Sequence, residues 1–141
     1  MSLGRDAIAR LLPHAGAMCL LEAVVAWDAD SITCRATSHR DPANPLRSAG
    51  GLSAIVGVEY AAQAVAVHWG LLHPSAPSEG YLASLRDVEC FAERLDSQAG
   101  ELSVHAAQVA AESGRLLYDF RIEAGGRELL KGRLSVVLAR E

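Results

Sequence analysis

The chain has only three cysteines and an acidic charge balance, and both features exclude whole classes of protein. Cys19, Cys34 and Cys90 are far apart and include no C-x-x-C pair, which argues against a disulfide framework and against a zinc site. We expect buried free thiols in a reducing compartment, the cytoplasm. The formal net charge of −4 argues against a nucleic-acid partner.

The N-terminal segment MSLGRDAIAR contains an acidic residue and no apolar core followed by a cleavage site, so we expect no signal peptide. The longest apolar stretch, LSAIVGVEYAAQAVAVHWGLL, is interrupted by Glu59, Gln63 and His68. These polar residues favour a buried helix of a soluble protein over a membrane span. With 141 residues, of which 50% are hydrophobic, the sequence predicts a single domain over residues 1–141.

The pattern along the chain predicts a short helix, a β-hairpin, one enclosed helix and then three or four antiparallel strands. In the first strand Leu21, Ala23, Val25 and Trp27 alternate with other residues, which predicts that they share one face. Helices are predicted over 3–12 and 53–72, and strands over 18–27, 31–38, 81–92, 101–112, 116–124 and 127–139. Because the second helix is apolar on nearly all sides, we expect a curved antiparallel sheet to enclose it.

Glu59 stands out because it lies in the middle of that apolar helix. An ionised carboxylate buried without partners costs several kcal/mol, so such groups are usually neutralised, paired or functional. Gln63, one helical turn further on, shares its face. The residues leave two interpretations open. Glu59 is either a structural glutamate paired with a distant arginine, or a general acid–base whose pKa is raised in a dry pocket.

The segments PHAGAMCLLEAV and GVEYAAQA, together with this order of elements, resemble the hot-dog dehydratases that act on 3-hydroxyacyl groups of acyl carrier protein. Those enzymes carry a PHR-x-P-x-L-L-x-D segment and an E-x-x-A-Q segment, which appear here as residues 13–18 and 59–63. The resemblance is greatest to the dehydratase-like proteins of aryl polyene gene clusters, which share NPL in the loop (Asn44–Leu46) and GVEYxAQAxAxH on the helix (Gly57–His68). It implies an α+β hot-dog fold, in which a curved antiparallel β-sheet wraps around one long central helix.

The resemblance also implies a mechanism, the elimination of water from a thioester bound to acyl carrier protein or coenzyme A, without metal or cofactor. A histidine of one protomer removes the α-proton, and the acid at the position of Glu59 in the other helps the hydroxyl leave. Gly57 and Val58, in the first turn of the helix, are candidates to hold the thioester carbonyl, and Gln63 to contact substrate. A homodimer or higher oligomer whose sheets pair edge to edge is implied, with no nucleic acid or membrane as partner.

One departure from the family pattern concerns the catalytic histidine, which usually lies in a GHFP segment about fourteen residues before the helical acid. Counting back from Glu59 reaches Pro45 instead. Of the five histidines, His14 is the strongest substitute because it lies in the PH segment of the family pattern. His39, at the end of a strand, is expected to be exposed to solvent. His68 is on the far face of the helix and is expected to pack there. His73 and His105 are interpreted as surface and sheet-face residues.

Three functions are therefore consistent with the sequence. The first is a dehydratase with Glu59 and His14 as catalytic residues. The second is a hot-dog thioesterase in which Glu59 activates water against the thioester. The third is a non-catalytic acyl-binding subunit that supports a complete dehydratase. The first is the function that we predict.

Overall fold

The computed structural model describes residues 3–12, 19–74 and 80–138. The elements in chain order are β1 (Leu3–Gly4), α1 (Arg5–Leu11), β2 (Ala23–Trp27), β3 (Ser31–Ala36), α2 (Gly57–Leu72), β4 (Gly80–Cys90), β5 (Leu102–Glu112), β6 (Arg115–Ala124) and β7 (Arg127–Leu138). Short 3-10 turns cover Ser38–Arg40 and Ala54–Val56.

The strands form one antiparallel seven-stranded sheet in the order β1-β2-β3-β5-β6-β7-β4. Helix α2 packs against β3, β5, β6 and β7, and α1 packs beside it. Every predicted element is present, and α2 ends at Leu72 as expected. The expected architecture, a sheet around one long helix, is confirmed.

Alternating burial places the sheet residues that form the core. In β3 the side chains of Ile32, Cys34 and Ala36 are buried against the helix, as the alternation predicts. The same holds in β6 for Tyr118, Phe120 and Ile122. In β3 and β6, every second side chain therefore belongs to the core around α2.

The predicted alternation in β2 is wrong for its second half. Val25 and Trp27 are 48% and 38% exposed, although Ala23 is buried. The cause is a β-bulge: the pairing with β3 shifts between Val24 and Ala26, so one extra residue is inserted. The insertion interrupts the alternation, and Val25, Ala26 and Trp27 beyond it are all exposed.

The sheet does not enclose α2 completely, contrary to expectation. One helical stripe, here called the uncovered stripe, is only partly covered. It is formed by Ile55, Glu59, Ala62 and Ala66, at the spacing of a single helix face, and its two alanines are half-buried. Ile55 is 46% exposed and Glu59 is exposed. By length and composition the helical run Ala54–Leu72 passes as a candidate membrane span; here it is the core helix of the sheet.

The expectation that all three cysteines are buried is correct for two of them. Cys19 and Cys34 are buried, and burial raises the pKa of the Cys34 thiol to about 12. Cys90 is exposed at the end of β4. The two buried thiols are therefore structural residues of the core.

Strand β4 forms one edge of the sheet and contains two irregularities. Its register against β7 shifts once between Leu82 and Ser84 and again between Arg86 and Glu89. At the second shift Asp87 has a positive φ of 54°. Gly132 of β7 lies opposite, where a side-chain Cβ would come within 2.9 Å of Val88. The missing side chain at Gly132 therefore gives the bulged strand its room.

Candidate functional site

Glu59 lies in the first turn of α2, on the uncovered stripe. Its side chain is exposed and, within the described residues, forms no hydrogen bond and no ion pair. Within the described residues of the single chain, no arginine pairs with the carboxylate, and its side chain is exposed rather than enclosed in a dry pocket. Its role as a general acid–base stays a prediction. An unpaired carboxylate on an apolar stripe remains available to an external ligand or a second subunit.

The helical run begins before Gly57. A 3-10 turn, Ala54–Val56, leads directly into α2, and the Gly57 N–H donates to carbonyls of that turn. Ser53 lies at the N-cap position, but its side chain makes no capping hydrogen bond. The Gly57 N–H is thus engaged within the helical run, and the predicted contact of Gly57 with the thioester carbonyl stays a prediction. The role of Val58, which is buried, stays a prediction.

Gln63, the last residue of the E-x-x-A-Q segment, is hydrogen-bonded to the loop before β2. Its side-chain oxygen accepts a hydrogen bond from the backbone N–H of Leu20, at 2.9 Å. Leu20 follows the segment 13–18, which contains His14 and lies outside the described residues. The structure therefore gives Gln63 a tie to the loop before β2, and its predicted contact with substrate stays a prediction.

Tyr60, next to Glu59, is hydrogen-bonded to a second loop, which contains Ser38 and Asn44. Its side chain is completely buried, and its hydroxyl lies 2.8 Å from Ser38 Oγ and 3.1 Å from Asn44 Nδ2. Burial raises the pKa of this hydroxyl, so it remains protonated near neutral pH. Sequence reasoning missed Tyr60 and Asn44. A tyrosine in an apolar helix and an Asn-Pro loop were the available signals, since a buried phenol needs a partner.

The loop with Asn44-Pro45-Leu46 occupies the region where the family pattern places its histidine. Asn44 is buried, and its side-chain oxygen accepts the Leu46 N–H at 2.8 Å, while Pro45 is exposed. This side-chain-to-backbone hydrogen bond closes a tight turn around the proline. The turn contains no side chain that can remove a proton.

A charged cluster fixes the rest of this loop, and the sequence did not predict it. The Asp96 carboxylate, whose side chain is 5% exposed, accepts hydrogen bonds from the guanidinium groups of Arg47 and Arg94 and from the Leu52 N–H. The Arg94 guanidinium holds the pKa of Asp96 well below its usual range. The chain entering α2 is therefore anchored on both sides, by Asp96 and by Tyr60.

The four histidines within the described residues are all engaged elsewhere. His39, expected to be exposed, is completely buried, with Nε2 near the Gln98 carbonyl. His68 packs at the far end of α2, as expected: its Nε2 donates to the Asp28 carbonyl and its Nδ1 accepts from the Tyr118 hydroxyl. Burial lowers the pKa of both imidazoles. His73 stacks on Trp69, and His105 bonds to Thr33.

His14, the predicted catalytic substitute, lies outside the described residues, so its role stays a prediction. Among the described residues, no group of three His, Cys, Asp or Glu side chains could hold a metal ion. What the structure brings together is an available carboxylate, an apolar helix stripe around it, and two loops tied to the same helix.

A family model described as ApeP dehydratase matches residues 6–141 of this chain. Among solved structures, the dehydratase heterocomplex ApeI:P from Xenorhabdus doucetiae is similar, with a TM-score of 0.85 and 26% identity over 95% of this chain and 91% of that chain. No curated protein matches the sequence.

Two thioesterase structures are more distant. A mutant thioesterase from Pseudomonas aeruginosa has a TM-score of 0.64 and 15% identity, covering 97% of this chain and 96% of that one. A thioesterase from Haemophilus influenzae has a TM-score of 0.66 and 13% identity, covering 98% and 92%. At these identities the likeness concerns the fold, which is the hot-dog fold.

Proposed function

The chain belongs to the ApeP dehydratase family, and from that premise we propose that it takes part in removing water from 3-hydroxyacyl thioesters carried by acyl carrier protein. The observation that carries this proposal is Glu59, an unpaired carboxylate exposed on an otherwise apolar stripe of α2. A second subunit seated on this apolar stripe would bury the carboxylate, and a buried carboxylate is retained where it is paired or functional.

The reaction breaks a C–H bond beside the thioester carbonyl and the C–O bond of the hydroxyl, and it forms a carbon–carbon double bond. One group takes the α-proton, and another gives a proton to the departing hydroxyl, which leaves as water. We assign the second role to Glu59, which is the acid position of the family. Acid–base chemistry of this kind uses side chains alone, so the proposal includes no cofactor.

The second group that the reaction needs is the base that removes the α-proton. The four described histidines are buried, stacked or hydrogen-bonded elsewhere, and Pro45 occupies the usual position. Two sources are proposed: His14 of this chain, or a histidine of a second hot-dog subunit seated against α2. The similar structure from Xenorhabdus doucetiae is titled a heterocomplex, which supports the second source.

Two surfaces of the chain support the proposed assembly, either a homodimer or a pair with a related subunit. Strand β4 is an open sheet edge of eleven residues, and its Tyr81 and Leu85 are 56% and 40% exposed. An open edge of this length is a template for pairing with another chain. The stripe with Ile55 and Glu59 is likewise an apolar surface that a second subunit would cover. With two buried free thiols, we place the assembly in the cytoplasm.

The test uses this chain and a second hot-dog dehydratase that has the family histidine in its GHFP segment, called here the complete dehydratase. Each protein alone, and then the two mixed, is given a 3-hydroxyacyl carrier protein as substrate. We expect an enoyl thioester as product, and a turnover that Glu59→Gln lowers by about 10²–10⁴-fold, the usual contribution of a general acid. Glu112→Gln, an exposed acid on β5, is the matched control and should leave turnover unchanged.

The outcomes separate the candidate functions. Turnover by the chain alone that His14→Ala abolishes would assign the base to this chain, whereas turnover only in the mixture would assign it to the second subunit. A mixture that is faster than the complete dehydratase alone but insensitive to Glu59→Gln would identify a non-catalytic partner subunit. Release of a free acid would identify a thioesterase and overturn the proposal.

A further inference from the structure

Tyr60 connects the catalytic helix to the loop that replaces the family histidine. We propose, building on the function proposed above, that Tyr60 is a positioning residue that holds Asn44-Pro45-Leu46 in one place relative to Glu59. The phenol does not touch the substrate in this proposal. It acts through Asn44, and its effect on the reaction is to keep one wall of the acyl site rigid.

The hydrogen bonds around Tyr60 run in a single direction. Ser38 Oγ donates its one proton to the Leu20 carbonyl, at 2.7 Å, so it accepts the Tyr60 proton at 2.8 Å. The Tyr60 oxygen then accepts from Asn44 Nδ2 at 3.1 Å, and the other Asn44 proton goes to the Ser38 carbonyl at 2.9 Å. Every polar hydrogen in this buried chain has an acceptor, and a fully satisfied buried network specifies one arrangement.

The same network reaches the segment before β2. Leu20 has both backbone groups bound, its carbonyl to Ser38 and its N–H to Gln63. Tyr60 and Gln63 are three residues apart and therefore neighbours on α2. Two polar residues of one helical turn thus fix both loops next to the turn that carries Glu59.

The hydrogen bonds of the Asn44 side chain fix the shape of the turn at Pro45. With its amide nitrogen held by Tyr60 and Ser38, the Asn44 oxygen is oriented to accept the Leu46 N–H, and the turn exposes Pro45. The loop offers no ionisable group at this point, so its contribution is shape. A substrate that must place its hydroxyl at Glu59 depends on walls that do not move, because small misplacements slow catalysis strongly.

The experiment compares Tyr60→Phe with Tyr118→Phe in the assembly that turns over substrate. Both tyrosines are completely buried and both hydroxyls are hydrogen-bonded, but Tyr118 bonds to His68, at the opposite end of α2. We expect Tyr60→Phe to lower kcat about ten- to hundredfold with KM nearly unchanged, and to speed amide hydrogen exchange at Leu46. Tyr118→Phe should leave kcat and the Leu46 exchange unchanged.

Equal kcat values for the two variants, or unchanged Leu46 exchange in Tyr60→Phe, would overturn the positioning role. A failure of the proposed function has a different signature. In that case wild-type protein gives no enoyl product, or Glu59→Gln is fully active, while the exchange measurement at Leu46 still reports on the loop. Thermal unfolding of both variants checks that each remains folded.

Discussion

Replacing Gly57 by alanine tests how tightly the first turn of α2 is packed under the sheet. A Cβ at this position would lie 2.8 Å from Leu130 Cδ2 and 2.9 Å from Ile122 Cδ1. Carbon atoms in ordinary contact are about 3.5–4.0 Å apart, so these methyl groups must retreat by about 0.7 Å. Leu130 and Ile122 are both completely buried, which leaves them little room to do so.

Overpacking of this kind costs about 1–3 kcal/mol, and alanine instead of glycine in a helix returns up to about 1 kcal/mol. We therefore expect Gly57→Ala to destabilise the protein by about 1 kcal/mol. Gly70→Ala is the matched control on the same helix, since its Cβ would meet only Leu11, at 3.1 Å, and Leu11 is partly exposed. There the helical gain should dominate and stabilise the protein by about 0.5 kcal/mol.

Urea unfolding of wild type, Gly57→Ala and Gly70→Ala measures the free energy of unfolding for each. We expect equal slopes and midpoints in the order Gly70→Ala, wild type, Gly57→Ala. If Gly57→Ala is as stable as Gly70→Ala, the helix does not pack against β6 and β7 as closely as described.

Two further predictions concern pH and assembly. Burial lowers the pKa of His39 and His68 below the usual 6.5, so the unfolded chain binds more protons than the folded chain at acid pH. The free energy of unfolding should therefore be fully present above pH 6.5 and should fall below it. Urea midpoints that stay unchanged from pH 7.5 to 5.5 would contradict this prediction. Leu85→Lys, on the free edge strand β4, should leave the fold intact and weaken self-association or pairing with the second subunit. Arg115→Lys, on the outer face of β6, is the control and should leave association unchanged. Sedimentation velocity measures the association of both variants, and equal association would exclude β4 as the interface.

Most of the fold could be predicted from local pattern. Alternation in β3 and β6 identified the core side of the sheet correctly, since period two is a direct consequence of strand geometry. It failed in β2, because one inserted residue at Val25 interrupts the alternation and the strand is exposed from there to its end. A bulge depends on the partner strand, which the local sequence does not show.

The site was only partly predictable. Glu59 was identified because a carboxylate in an apolar helix is unusual, but its exposure follows from the tertiary arrangement that leaves one stripe uncovered. Tyr60 was missed because its partners Ser38 and Asn44 are 22 and 16 residues away in the chain. The burial of His39 likewise depends on contact with a remote segment, at Gln98.

The two irregularities of β4 have a consequence for which chains can add to this edge. Each bulge inserts one residue and increases the local twist, so the free edge is not a straight ladder of backbone groups. A regular strand from an unrelated protein would lose its pairing at Ala83 and again at Asp87. The edge is thereby protected against indiscriminate aggregation, and it favours a partner strand whose shape follows the same two irregularities.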